Sequence, residues 1–363
     1  MKRNWVVHKF GGASVRDADG VRNLARIVRH LQHVEDAGFN LAVVVSAMGK
    51  TTNALEAVWQ ALPHATDVEP VIATVVSSHL EVVGALELPP DLLEGDLAAF
   101  RTVCGSFLGL PRTDAGYDAV VGFGERWSTR LVAAHLEREG IAAQWASAWS
   151  LVKTNCTHRA AEVDLDQTAN AIRSAALDWE GVIPVMQGFV GSSESGTPTT
   201  LGREGSDFSG ALLAEAVAAH RFCVWKDVPG VMTGDPRLWP VAEVLSHLDH
   251  STAELLGRAG AGVLHPHTMA PLRRADIPLH VRSFMDPTAP GTCIRGAAPD
   301  APLPALWTLS SVEEGRRTVR CIGRDREEAC ALWSAQFPET TIVEAAPDSA
   351  LPRCVRLLVE VAG

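Results

Sequence analysis

Lys9 ends an apolar run, Val6-Val7-His8-Lys9-Phe10, and is followed at once by Gly11-Gly12-Ala13-Ser14-Val15. That order of residue types suits the handling of a transferring phosphoryl group. A strand fixes the lysine, glycines without Cβ atoms let backbone N–H groups approach phosphate oxygens, and the ammonium meets charge as it builds. The same residues would also serve as a strand ending in a Gly-Gly turn, with a lysine that reaches solvent. Only five lysines occur in the chain (Lys2, Lys9, Lys50, Lys153, Lys226), so one inside a glycine-rich stretch is a less ordinary event here.

Three later blocks carry polar residues of the kinds such a site needs. Val43-Val44-Val45-Ser46-Ala47-Met48-Gly49-Lys50-Thr51-Thr52 puts Ser46 and Thr52 just past an apolar strand. It looks like a P-loop, but that pattern needs glycine at position 44, which is valine, and the nucleotide-triphosphatase reading fails on spacing. Glu125, in Gly122-Phe123-Gly124-Glu125, falls at a helix start, where the dipole favours a carboxylate with or without a function. In Gly202-Arg203-Glu204-Gly205-Ser206-Asp207, arginine offers a fork for a carboxylate, and Ser206-Asp207 sit where a loop becomes a helix whose free N–H groups favour anions. A carboxylate at Glu204 could compete for the Arg203 guanidinium or lower local anion affinity. A further stretch, Lys226-Asp227-Val228-Pro229-Gly230-Val231-Met232-Thr233-Gly234-Asp235-Pro236-Arg237, has explicit Pro-Gly and Asp-Pro turn chemistry.

The elements that must position these residues alternate. Strand-like runs at Trp5–Phe10 and Asn40–Ser46 are separated by a helical pattern over Ala18–Ala37, and a mostly helical region spans Leu80–Asp118. Helix at Glu125–Gly140, strand at Ala142–Trp145, helix at Leu165–Trp179, strand at Val182–Gln187, a Gly/Ser/Thr-rich loop at Gly191–Gly205, helix from Asp207 and strand at Arg221–Lys226 follow. This predicts an α/β fold with a mostly parallel central sheet and ligands at the strand carboxyl ends. Pro- and Ala-rich residues 297–305 read as a linker between a domain over 1–296 and a small α+β unit over 306–363.

At 363 residues, 47% hydrophobic and 21% charged, the chain has ample material for a core. A net charge of −11 argues against a nucleic-acid-binding surface, so an anionic substrate would be met by individually placed cations. Seven scattered cysteines, none in Cys-x-x-Cys spacing, read as thiols of a reducing compartment, and the histidines form no metal spacing. With no leader-like segment and no run of membrane-spanning length, a cytoplasmic protein without a membrane partner is expected.

Taken in order, these blocks resemble the aspartokinases of the amino acid kinase family. Their opening motif is Lys-Phe-Gly-Gly-Thr-Ser-Val, with Ala13 here at the threonine place, and the likeness recurs over roughly the first 295 residues. The resemblance implies a three-layer amino-acid-kinase sandwich followed by a reduced ACT-like unit. It also implies transfer of the γ-phosphate of ATP, carried with Mg²⁺, to the side-chain carboxylate of L-aspartate, in a homodimer. Carried over position by position, Lys9 and Asp207 are catalytic, and Ser46, Thr52, Glu125, Arg203 and Ser206 bind the amino acid. Lys9, Gly11, Gly12, Ser14, Lys226, Asp227, Asp235 and Arg237 bind ATP. Glu125 would hold the ammonium group; Gly122 replaces the first serine of its motif. Glu204 departs from a glycine, Lys226 from a threonine and Gly262 from a lysine that reaches the phosphates, so either Lys226 supplies the charge that Gly262 lacks or it is a solvated strand-end lysine and phosphate binding is weakened. A sister kinase with another acceptor, and a binding protein that lost turnover through Ala13, Glu204 and Gly262, are the alternatives.

Overall fold

The structure, a computed structural model, describes residues 4–64, 68–239, 241–261, 265–296, 305–313, 316–351 and 353–361. Two compact units are present, one formed by 1–227 with 283–287, the other by 228–282 with 288–363. The expected linker at 297–305 falls in the second unit, and its residues 297–304 lie outside the described residues, as does Gly262.

In the first unit the chain runs β1 (Trp5–Phe10), α1 (Ala18–His30), β2 (Asn40–Val45), α2 (Thr51–Ala61), α3 (Val68–Ala85), α4 (Glu94–Phe107), α5 (Asp114–Val121), α6 (Phe123–Arg138) and β3 (Ala143–Ala146). It continues through α7 (Ala148–Leu151), β4 (Lys153–Thr154), α8 (Leu165–Ala175), β5 (Ile183–Gln187), β6 (Val190–Ser193), β7 (Pro198–Thr200), α9 (Gly205–Ala216) and β8 (Arg221–Lys226). Strands pair in the order β3-β5-β2-β1-β8, every pair parallel. The near-continuous apolar runs of β1 and β2 are what a sheet covered on both faces demands. Alternation along β1 divides its side chains between two helical layers. Val6 and Phe10 join Val43, Val45, Val185, Cys223 and Trp225 in one core with residues of α1 and α6, while Lys9 faces α9. This is the three-layer α/β arrangement expected.

Several elements differ from expectation for local reasons. The helix expected to reach Ala37 ends as α1 at His30, and the chain widens into a π-type turn over Leu31–Glu35. The Gly/Ser/Thr-rich segment expected as a loop contains the β6–β7 hairpin, because its polar residues satisfy one another across a turn in which Gly196 takes φ +79°. The expectation of no membrane-length run is corrected by α3, whose 18 residues are long and apolar enough by length and composition. Its Ile72, Val75, Val76 and Val83 lie in the core of the unit, which gives that apolarity a use in packing.

The second unit contains β9 (His247–Asp249), α10 (His250–Arg258), α11 (Pro266–Arg274), β10 (Leu279–Ser283) and β11 (Thr292–Arg295). Its remainder, β12 (Leu306–Glu313), β13 (Arg316–Ile322), α12 (Arg326–Gln336), β14 (Thr340–Pro347) and β15 (Cys354–Val361), forms an antiparallel sheet ordered β12-β13-β15-β14. Trp307, Val319, Val355, Leu357 and Val359 pack there against Ala329 and Trp333 of α12. The residues expected to form a small α+β unit thus make a four-stranded sheet with one helix, within a unit that also includes 228–282.

Candidate active site

A cavity of about 580 Å³ opens at the carboxyl ends of β1, β2 and β8 in the first unit. Lys9 reaches it from the centre of the sheet. Its backbone pairs with Val44 on one side and Val224 on the other, so the strand positions are fixed, and the residue is only 4% exposed. A Cβ built on Gly11 would lie 3.7 Å from Lys9 Nζ, which puts the ammonium beside the glycine pair. Gly12 must be glycine, since a Cβ there would meet the Ala47 carbonyl oxygen at 2.6 Å, and Gly49 N–H donates to the Gly12 carbonyl at 3.0 Å. The turns after β1 and β2 are therefore locked together.

Asp207, in the first turn of α9, is wholly buried beneath this cavity and joins two cations. Its Oδ1 lies 2.5 Å from Lys9 Nζ, and its Oδ2 accepts a hydrogen bond of 3.0 Å from Lys226 Nζ. Burial alone would raise the Asp207 pKa, but the Lys9 and Lys226 ammonium groups outweigh it and hold the carboxyl down at about 2. Burial likewise opposes the charge of Lys226, and Asp207 and Glu204 more than offset that, so its pKa is raised. Lys226 ends β8 at a place fixed on both sides. Phe284 N–H donates to the Lys226 carbonyl at 3.0 Å, and the preceding Trp225 stacks on Phe10 with ring centroids 5.7 Å apart.

The opposite wall carries a different carboxyl group. Glu125, in the first turn of α6, is 3% exposed; its Oε1 accepts the Ala47 N–H at 3.1 Å, while its Oε2 is buried with no hydrogen-bond partner. Burial pushes its pKa up to about 8, against the smaller lowering effects of the Ala47 hydrogen bond and of Lys9. Ser128 of the same helix donates to the Ser46 carbonyl at 2.8 Å and holds the turn that presents Ser46. An unpartnered carboxyl oxygen on the wall of a polar cavity becomes an acceptor for a cationic N–H once its proton leaves.

Ser46, Thr52, Arg203, Glu204, Ser206, Lys226 and Asp227 all line the cavity with Lys9, Gly11, Gly12 and Glu125. Arg203 is exposed and makes no hydrogen bond or ion pair with another described residue, so its guanidinium is available at the mouth. Glu204 does not compete for that guanidinium; its Oε2 lies 3.8 Å from Lys226 Nζ instead. Ser14 is not among the lining residues. It is buried and its hydroxyl donates to the Gly11 carbonyl at 2.5 Å, so it shapes the glycine turn from behind. Asp235 and Arg237 lie in the second unit, paired with each other at 2.7 Å.

Sequence reasoning missed Tyr117, Arg159, Phe189, Thr200, Trp225 and Phe284, which also line the cavity. Arg159 has φ +67° and lies over the Tyr117 ring, 4.2 Å from its centroid. Its loop is tied down by buried Asp118, which accepts from Arg159 N–H at 3.0 Å, from Thr200 Oγ1 at 2.6 Å and pairs with His158 at 2.9 Å. Asp118 is 41 and 82 residues from Arg159 and Thr200 in the chain and belongs to no motif, so nothing in the sequence singled it out.

The cavity thus sets a lysine-bound aspartate beside a glycine turn, with a buried carboxyl group and an open arginine on its walls. Residues 4–283 match the family model described as the amino acid kinase family. The chain belongs to the amino acid kinase family. Among its relatives, the lysine-sensitive aspartokinase 3 of Escherichia coli is 36% identical over 302 residues, covering 82% of this chain and 66% of the relative. The chloroplastic aspartokinase 2 of Arabidopsis thaliana is 33% identical over 299 residues, covering 79% of this chain and 54% of the relative. The chain thus spans from just under two thirds to about half of these two curated relatives. Its fold is similar to the crystal structure of E. coli aspartokinase III in complex with aspartate and ADP, with a TM-score of 0.76 and 28% identity over 98% of this chain and 79% of that one.

Proposed function

We propose that this member of the amino acid kinase family is an ATP-dependent aspartate kinase that forms 4-phospho-L-aspartate and ADP, a first step in making lysine, threonine and methionine. The observation that carries the reading is the pairing of a doubly ammonium-bound Asp207 with the buried, half-satisfied carboxyl of Glu125 across one cavity. The similarity to an enzyme solved with aspartate and ADP supports the choice of substrates.

In this reading an oxygen of the aspartate side-chain carboxylate attacks the γ-phosphorus in line. The bond from that phosphorus to the β,γ-bridging oxygen breaks, and the electron pair leaves with ADP. The carboxylate is already nucleophilic, so positioning and charge neutralisation suffice. Lys9 neutralises the moving phosphoryl, Gly11 and Gly12 offer backbone N–H groups to it, and Asp207 fixes both lysines. Glu125 holds the substrate ammonium, Arg203 its α-carboxylate, and Ser46, Thr52 and Ser206 complete the amino-acid site. Lys226 and Asp227 flank the nucleotide, and Asp235 and Arg237 are assigned to it from the resemblance. Mg²⁺ would enter on the nucleotide. An ion of this kind is held largely by phosphate oxygens and water, with few direct protein ligands. The catalytic part is assigned to residues 1–296, and a cytoplasmic homodimer is the assembly and setting proposed.

ADP release in a coupled assay with ATP and L-aspartate tests the reading, with glutamate, N-acetylglutamate, carbamate and UMP as rival acceptors. Release specific to aspartate is expected, and Arg203→Ala should raise KM for aspartate well beyond any change in KM for ATP. ADP binding without aspartate-dependent release would instead favour a binding protein.

A further inference from the structure

We propose that Glu204 is a resident counter-ion of Lys226 that nucleotide phosphate must displace, and so sets how tightly this chain holds its nucleotide. The proposal rests on the reading of Lys226 as a phosphate-facing cation and goes beyond it by assigning a role to the neighbouring anion.

Glu204 sits at an awkward place for a glutamate. Its backbone is left-handed, φ +56° and ψ +20°, a conformation that favours glycine and that side-chain-bearing residues occupy at some cost. It occupies the N-cap position of α9, yet its side chain makes no capping hydrogen bond, although short oxygen-bearing side chains there would. Its carboxylate turns toward Lys226, stopping at 3.8 Å, outside hydrogen-bond reach, whereas Asp207 holds the same ammonium at 3.0 Å. Two of the three ammonium N–H donors of Lys226 are therefore left to the cavity, and the nearest charge to them is a loosely held, partly exposed carboxylate.

The charge balance gives that contact its meaning. Lys9 and Lys226 share Asp207, so these three groups carry one net positive charge, on which Asp227 acts from farther away. Glu204, at 3.8 Å and with a larger effect on Lys226 than Asp227, is the main balance to it while the cavity is empty. A polyphosphate brings more charge than one carboxylate and oxygens that can close to hydrogen-bond distance, so it wins the ammonium, but only net of the attraction lost to Glu204. As the nucleotide leaves, Glu204 takes its place again. The carboxylate thus lowers nucleotide affinity and eases release of the spent nucleotide, without touching the reacting atoms.

Titration calorimetry with Mg²⁺·ADP on the full chain reads this directly, in a cycle of wild type, Glu204→Gln, Lys226→Met and the double variant. Glu204→Gln should bind ADP about five-fold tighter at low salt, the size of a partly exposed ion pair, and the gain should shrink as salt is added. Lys226→Met should bind more weakly, and adding Glu204→Gln to it should restore nothing. A purely structural role for Glu204 would change melting temperature but not produce this dependence on Lys226. Glu204→Gly, which also relieves the backbone, should tighten ADP at least as much. Unchanged or weaker binding by Glu204→Gln, or an equal gain in the Lys226→Met background, overturns the proposal while leaving Lys226 as a phosphate ligand. If Lys226→Met binds ADP as wild type does, the assignment of Lys226 fails and this proposal with it.

Discussion

Glu125 and Asp207 are carboxylic acids of similar burial on one cavity, and their acidities are driven in opposite directions, to about 8 and about 2. Burial penalises both anions. What differs is the company: Asp207 has an ammonium on each oxygen, whereas Glu125 has one backbone N–H and an oxygen with nothing bound to it. The cavity therefore has a completed end and an incomplete end. The completed end keeps its cations in place before any substrate arrives, which is preorganisation for a developing charge. The incomplete end stores an unmet demand for a cation, which a substrate ammonium group would satisfy.

The harshest way to break this comparison is to remove the shared anion. Asp207→Asn leaves two neighbouring ammonium groups with no buried counter-ion, and a loss of about 3–5 kcal/mol in denaturant-measured stability is expected, with turnover abolished. Lys9→Met should keep the fold and still lower kcat by at least about 100-fold, since it deletes a group acting on charge that appears only in the transition state. A Lys9→Met enzyme with near-normal kcat would show that the completed end is merely structural.

At the other end the expected effect is on binding. Glu125→Gln keeps the Ala47 acceptor but cannot offer an anion to the substrate ammonium, so KM for aspartate should rise about 10- to 100-fold with little change in KM for ATP. Acidity sharpens the test. With a pKa of about 8, the Glu125 carboxyl is mostly protonated in the empty site at pH 7, and pairing with an ammonium requires the proton to leave. Aspartate binding followed by calorimetry in buffers of different ionisation enthalpy should release close to one proton at pH 7 and almost none above pH 9. Binding with no proton release at pH 7 would mean that Glu125 is already ionised or is not the ammonium's partner.

How far the site could be read from sequence follows the same division. Lys9, Glu125 and Ser206 stand where a strand or helix terminus meets a glycine, so local physics fixed their placement and the alternation of elements placed those termini together at the sheet's carboxyl edge. Only the family resemblance pointed to the link from Asp207 to Lys9 and its neighbouring cation; because the contact depends on α9 packing across β1 and β8, no single stretch of sequence encodes it. The same holds for Arg159, whose loop is anchored by Asp118 41 residues earlier through a buried carboxylate that reads in sequence like any helical aspartate. Ser14 had the right residue type in the right motif, yet its hydroxyl closes the local turn, a competition between backbone and ligand that spacing does not decide.

The smallest expected effect is also the one that separates the two carboxyls without any substrate. Asp207 has a lowered folded-state pKa, so its contribution to stability is present above the ordinary carboxylate range and is lost only as pH falls toward 2. It contributes no slope between pH 5 and 9. Glu125 has a raised folded-state pKa, so between its ordinary value and about 8 the folded state binds the proton that the unfolded chain has released. Its linkage makes stability fall as pH rises across that window and level off beyond it. Glu125→Gln carries a fixed cost for burying an amide, independent of pH, and removes the slope. The difference in melting temperature between Glu125→Gln and wild type should therefore shift in favour of the variant from pH 5 to pH 8, at roughly 2–4 °C for each kcal/mol, and stay constant from pH 8.5 upward. Parallel curves across that range would place the Glu125 oxygen in contact with a cation in the empty protein, and the contrast between the two ends of the cavity would be lost.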